Sequence, residues 1–426
     1  MRWRVSLRAA GLVVVLAAAV QLHAGVMYTV MDLGTLGGTY SYARGINDRG
    51  QVVGSSERGG DYAEHAFRTA PNQPINSLTD DLGTLPSKTY SQAYGINNLG
   101  QVVGWSGSLP NGMDAHAFRT GPNQAIKPVA DNLGTLGGST SFAYAINDVG
   151  QVVGDSWLTG DKITRAFRTG LNQPINPSTD DLGTLAGLSS RAYGINDAGQ
   201  VVGTSAGHGF RTGPNSPINP LSDDLGTLGG PGSTGKAITA SGHIAGTANL
   251  APEQPGFPGP IHIFRTDRNR RINPASDDLG AIGTGYPTVQ GMNDGGDIVG
   301  WFFAPPDYDH LRAFVCLGSS LFDLNDLILP MPGLELEVAY DINNLGQIVV
   351  SGNFNGQSRA YRLDPVPEPS SLLLIASARL LCRFRPRTSR SGIMGADARD
   401  DRVAWNSMNM SRRKSFSLHI GASAVE

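Results

Sequence analysis

A ten-residue element, Gly-Ile-Asn-Asp-x-Gly-Gln-Val-Val-Gly, returns seven times along this 426-residue chain. It is clearest at 45–54, 95–104, 145–154 and 194–203, and comes back altered at 237–246, 291–300 and 341–350. A period of about 49 residues marks a supersecondary unit that cannot bury its own apolar surface and must stack on copies of itself.

Each unit holds four short strand candidates. The first is Ala93-Tyr94-Gly95-Ile96-Asn97 and its equivalents, in which Ala43 and Gly45, Ala93 and Gly95, Ala143 and Ala145 stay small. Small side chains there suit a strand that lies where neighbouring units converge. A hairpin turn follows, and Gly50, Gly100, Gly150, Gly199, Gly242, Gly296 and Gly346 fill its last position, which asks for a left-handed backbone. The second strand, Gln101-Val102-Val103-Gly104, has adjacent valines, as expected of a strand covered on both faces. The third carries an aromatic at one fixed place: Phe67, Phe118, Phe167, Phe210, Phe264, Phe314 and Tyr361. These read as core plugs between adjacent sheets. The fourth is Asp-Leu-Gly-Thr-Leu, preceded by acid pairs such as Asp80-Asp81 and Asp180-Asp181. The acids are expected to guard an outer sheet edge.

Four strands in each of seven units predict an all-β, seven-bladed β-propeller. A phase shift sharpens this. Asp-Leu-Gly-Thr-Leu appears at 32–36, before the first Gly-Ile-Asn, and no copy follows the seventh aromatic strand. The N-terminal strand, about 27–36, is therefore the piece the last blade lacks, and the ring is expected to close there. A six-bladed ring is the alternative should the altered unit near 237–246 form no full sheet.

The joint recurrence of Leu-Gly-Thr-Leu, Gly-Ile-Asn, Gln-Val-Val-Gly and His-Ala-Phe-Arg, the last at His65 to Arg68 and His116 to Arg119, resembles the HAF family of bacterial extracellular repeats. The resemblance covers about 28–363 and implies an exported protein, without implying an activity. The histidine is replaced by Arg165, Gly209, Arg312 and Arg359 in other copies, so a solvated strand-end residue is expected rather than a ring of metal ligands.

The ends add to this. Residues 1–24 start with Arg2, Arg4 and Arg8, run apolar from Leu12 to Val20 and finish in small residues, the pattern of a cleaved secretory signal. Beyond the repeat region (27–364), Val366-Pro367-Glu368-Pro369 and the apolar residues after it are similar to a PEP-CTERM sorting signal (365–390), which implies processing by an exosortase. Arg379 interrupts its apolar stretch early, where the family's pattern continues. Residues 391–426 lack apolar periodicity and read as a disordered tail. Membrane contact is expected only through these terminal segments. Cys316 and Cys382 lie in different segments, so no disulfide is expected. A net charge of -3 without a long basic run inside the repeats argues against nucleic-acid binding.

The chain has no Gly-x-Ser-x-Gly elbow, His-Glu-x-x-His or phosphate-binding loop. No catalytic residue, cofactor or metal is assigned. Loops between strands two and three, and from strand four to the next strand one, are expected on one face. Their aromatics, Trp105, Trp157, Trp301, Tyr40, Tyr90, Phe142 and Tyr286, are candidate binding residues for sugar faces or a protein. Against this stands a role for the tryptophans as caps on the blade ends. The leading expectation is an exported, non-enzymatic cell-surface or matrix protein that binds exopolysaccharide or a cell-surface protein. Alternatives are a glycan-active enzyme, for which Asp341, replacing Gly45 in an innermost strand, is the first residue to inspect, and a spacer without ligand.

Overall fold

The computed structural model describes residues 27–60, 62–187, 189–252, 259–283, 286–305 and 310–366. The signal segment, Cys382, the tail and all of the sorting segment after residue 366 lie outside them. Seven antiparallel sheets form a ring, and the altered fifth unit is among the complete ones, with strands Gly229–Ile238, Ile244–Leu250, Ile261–Arg265 and Asp278–Gly280. The protein is a seven-bladed β-propeller. In blades 1, 3 and 4 the fourth strand contracts to a single bridge, Phe67 to Asp81, Phe167 to Asp181 and Phe210 to Asp224.

The ring closes as the phase shift requires. Strand Met27–Gly34 pairs antiparallel with Gln357–Val366, Asp32 opposite Tyr361, and becomes the outer strand of blade 7.

The core lies between blades. Phe118 of blade 2 packs with Val53 and Ala66 of blade 1, and Phe167 of blade 3 with Val103 and Ala117 of blade 2. Six such phenylalanines are fully buried and Tyr361 nearly so. Each buried ring contributes roughly 1.5–3 kcal/mol. The small inner-strand residues are a packing necessity: a Cβ on Gly45 would lie 2.9 Å from the Tyr94 carbonyl oxygen of the next blade.

The asparagine of Gly-Ile-Asn clasps neighbouring blades. Its Nδ2 donates to the backbone carbonyl of the same position one blade on, as in Asn47 to Asn97, Asn97 to Asn147 and Asn147 to Asn196, all at 3.0 Å. Asn343 donates to Asn47 and completes the circle across the chain ends. Thr239 of blade 5 cannot donate in this way. The turn glycine does take a left-handed conformation, φ +78° at Gly100.

Two expectations are corrected. The acid pairs stand at the outer strand, but their carboxylates are committed to the turns on either side of it. Asp80 accepts from the Asn76 amide at 2.9 Å, and Asp81 from the Gly83 amide at 2.8 Å. The same arrangement recurs at Asp223 and Asp224, and at Asp277 and Asp278. A carboxylate that satisfies a turn amide is held by local geometry rather than by edge defence. Nor is the histidine a solvated strand end: His65 is buried, its Nδ1 2.8 Å from Asp81, and the fourth copy keeps it as His208, Gly209 standing in the place of Ala66, so that His208 and His262 pair alike with Asp224 and Asp278.

Candidate active site

The innermost strands alternate small and large residues, and the large one points into the central channel. Around the ring these are Arg44, Tyr94, Tyr144, Tyr193, Lys236, Gln290 and Tyr340, one from each blade. They enclose a chamber of about 210 Å³. Six of the seven touch in series. The Arg44 guanidinium lies 5.2 Å from the centre of the Tyr340 ring and 4.9 Å from that of Tyr94. Tyr94 and Tyr144 meet at 5.5 Å, and Tyr144 and Tyr193 at 5.9 Å. The Lys236 Nζ sits 4.1 Å from the Tyr193 ring centre.

A collar that includes Ile96, Ile146, Ile195, Ile238 and Met292 separates this chamber from a second cavity of about 250 Å³ at the opposite mouth. The second cavity is rich in Asp and Asn, yet their atoms are largely committed to each other. The Asp48 amide donates to Asn98 Oδ1, the Asn98 amide to Asp148 Oδ1 and the Asn344 amide to Asp48 Oδ1. That mouth is a structural belt.

The chamber differs in having cations without carboxylate partners. Among the described residues neither Arg44 nor Lys236 makes an ion pair or a hydrogen bond, and Arg44 Nε is buried and unpaired. Burial, and then the nearby Arg191 guanidinium, pull the Lys236 amine down to about 8. A desolvated lysine at such a value is a proton acceptor near neutral pH. Arg191 is itself anchored: its Nε lies 3.1 Å from Asp155, which is almost completely buried behind the wall. Burial lowers Arg191, but the Asp155 carboxylate more than offsets this and leaves it raised. Asp155 is raised by burial against the pull of Arg191 and a hydrogen bond from Tyr144. Tyr144, raised by burial and the same carboxylate, stays a phenol. The Tyr193 phenol adds to that upward pull on Arg191.

Asp341 lies in the chamber wall at the seam between the last and first blades. Its two carboxylate oxygens accept from the Ile46 amide at 3.1 Å and its neighbour Ile342 at 2.9 Å. Burial pushes its carboxyl up to about 7, against those two amides. The folded state thus holds a proton that the unfolded chain releases near 4, so stability falls as pH rises from about 4 to about 7. Asn offers one acceptor to the two amides, so Asp341→Asn carries a pH-independent cost, but it is expected to gain roughly 1–4 kcal/mol on wild type between about pH 4 and about pH 8. Urea unfolding at the two pH values checks this; an equal difference at both would refute it.

The rim aromatics do not gather into one site. Tyr40 is 5.7 Å from Tyr42, and carboxylates at Glu64 and Glu57 surround it, so burial and these charges push its hydroxyl up to about 12. Tyr90 is half-buried one blade away, and Tyr286 is 60 % exposed in blade 6. Trp105 is buried, stacked edge-on 6.0 Å from Phe142, its indole N–H 3.3 Å from the Tyr94 hydroxyl. It buttresses the chamber wall and offers no open face to a sugar. Trp301 packs on Phe303 at 5.3 Å, and Trp157 is half-buried at its blade end. The two loop classes do share one face, since Lys88 reaches Asp114 at 2.8 Å.

The chamber ring was overlooked in the sequence, although a signal is present. The residue between the two flanking positions of each inner strand is long and changes from copy to copy: Arg44, Tyr94, Tyr144, Tyr193, Lys236, Gln290 and Tyr340.

No family model matches the chain, and no curated protein matches it. A solved gluconolactonase from Xanthomonas campestris, described as important in glucose secondary metabolic pathways, is similar at 13 % identity. The match covers 80 % of this chain and 94 % of that one, with a TM-score of 0.35. The amine set over the Tyr193 ring stands against the expectation of a non-enzymatic protein, and the glycan-active alternative is taken up below. A likeness at that TM-score transfers neither substrate nor residues, so the chemistry that follows is built from this chain's own side chains.

Proposed function

We propose that this propeller is an exported carbohydrate-active enzyme whose reaction runs in the tyrosine-lined chamber, with Lys236 as general base. The observation that carries the reading is the Lys236 amine, desolvated over the Tyr193 ring and free of any carboxylate partner among the described residues. Phenol rings interleaved with amide and cationic groups suit the alternating apolar and hydroxylated faces of a sugar. Hydrolysis through a carboxylate pair is the weaker chemistry here. Asp341 spends both oxygens on backbone amides, and Asp155 is locked to Arg191 and Tyr144. A proton-abstracting reaction, a lyase rather than a hydrolase, uses what the chamber holds.

Export is supported by the terminal signal pattern, the HAF-type repeats and the Pro-Glu-Pro segment, which together favour a cell-surface or extracellular polymer as substrate and exosortase-type processing of the end. Incubating the protein with a panel of acidic and neutral exopolysaccharides, and sizing the products, tests the reading. Chain shortening with wild type and none with Lys236→Met is the expected result. Shortening that persists unchanged in the variant would remove Lys236 from the chemistry.

A further inference from the structure

The chamber holds two cations that no carboxylate pairs among the described residues, and this bears on what enters it. Arg44 of blade 1 and Lys236 of blade 5 face the same cavity from well-separated blades. Arg44 is held between two phenol rings, which fix its plane, and its buried Nε–H has nothing to donate to. A buried donor left without an acceptor costs stability unless a ligand supplies one. Its planar fork fits a carboxylate with two parallel hydrogen bonds. The wall's own acids do not serve, Asp341 and Asp155 being committed elsewhere. The collar that includes Ile96, Ile146 and Ile195 borders the inner end. A volume of about 210 Å³ lies below the roughly 300–1,000 Å³ of sites for drug-sized ligands. One sugar ring is the scale that fits.

Resting on the enzyme reading above, we propose that the substrate is an acidic glycan entered by its reducing end, the terminal uronate's carboxylate held by Arg44 and its α-proton facing Lys236. The reaction then balances without metal, oxidant or water. The free Lys236 amine takes the proton from the carbon next to the carboxylate. That C–H electron pair becomes a carbon–carbon double bond, and the bond from the adjacent carbon to the glycosidic oxygen breaks. The Tyr193 hydroxyl, on the ring that Lys236 faces, protonates the leaving oxygen, and the Lys236 ammonium returns its proton to the phenolate. The products are an unsaturated uronate and a chain one residue shorter.

Calorimetric binding of a uronate-terminated oligosaccharide, and of the same oligosaccharide with its carboxylates reduced to alcohols, tests the proposal apart from turnover. Wild type is expected to bind the acid at least about tenfold more tightly. Arg44→Gln is expected to erase that preference and Arg44→Lys to restore part of it, with thermal denaturation confirming that both variants fold. Equal affinity for the acid and its neutral counterpart, or a preference untouched in a folded Arg44→Gln variant, overturns the proposal. Ultraviolet absorbance of the unsaturated product separates the two readings. Acid-selective binding without that product sinks the enzyme reading and leaves the carboxylate site standing. Cleavage of the neutral chain at the same rate does the reverse.

Discussion

Lys236→Met is expected to lower kcat/KM on the acidic glycan by about 10²–10⁴-fold, the usual contribution of a positioned general base. Methionine keeps the length of the stem and its contact with the Tyr193 ring, so the fold and the chamber wall are preserved. The loss is then chemical rather than structural. The pH dependence of the wild-type enzyme carries the same assignment. Only the neutral amine accepts a proton, and it forms as pH rises through about 8, so the rate climbs through that region and levels off above it. The groups that set this value face Lys236 from the neighbouring blade: Arg191 lowers it, while the Tyr193 ring gives the residual charge a face to rest on. Arg191→Gln therefore shifts the climb to higher pH, because one repelling charge is gone. A profile that rises with the ordinary lysine range, or that follows a carboxylate at low pH, would move the base to another residue.

Much of the scaffold could be read from the chain because repetition exposes constraint. Seven aligned glycines after the inner strand and seven aligned aromatics each report one geometric demand made seven times. The closure also showed itself, since a strand left over at one end and missing at the other has a single economical solution in a ring. The site was harder to see for the opposite reason. Arg44 and Lys236 sit among alanines and glycines in strands that read as pure scaffold, and they stand 192 positions apart in the chain. Nothing local marks them; only the convergence of seven strands on one axis makes them neighbours of a common cavity. The rim aromatics misled because composition alone does not tell a platform from a buttress. Trp105 has the chemistry of a sugar-binding residue and the position of a wall support. The acid pairs misled similarly, since a carboxylate bonding an amide four residues back cannot be told from a charged edge without the turn itself.

Deleting residues 27–36 is expected to abolish the single cooperative unfolding transition and leave an aggregating protein, a larger effect on stability than any point substitution. The strand pairs over seven register positions with Gln357–Val366, and its removal bares that whole edge. An unpaired strand edge next to uncovered apolar surface is a template for association. The buried Leu33 and Tyr28 would also leave two core clusters, one shared with Val349 and Ala43 and one with Leu327 and Ile328. Two backbone bonds that tie the strand to its neighbours go too: the Tyr28 amide to the Leu327 carbonyl, and the Ile75 amide to the Leu33 carbonyl, each 2.8 Å. Leu33→Ala samples the same seam gently and should cost about 2–5 kcal/mol. The two changes differ in kind as well as size. The point variant keeps one cooperative transition at a lower midpoint, because the ring still closes and each blade still meets two neighbours. In the deletion, blade 7 retains the Asn343 clasp and the Asp341 contact to Ile46, both on its inner strand, but loses its outer strand. Closure through the channel side alone leaves the outer layer of the seam open, and differential scanning calorimetry would show it as a broad, non-two-state trace. A truncated chain that melted as sharply and as high as wild type would mean that the inner clasps suffice, and that the N-terminal strand decorates the ring rather than closing it.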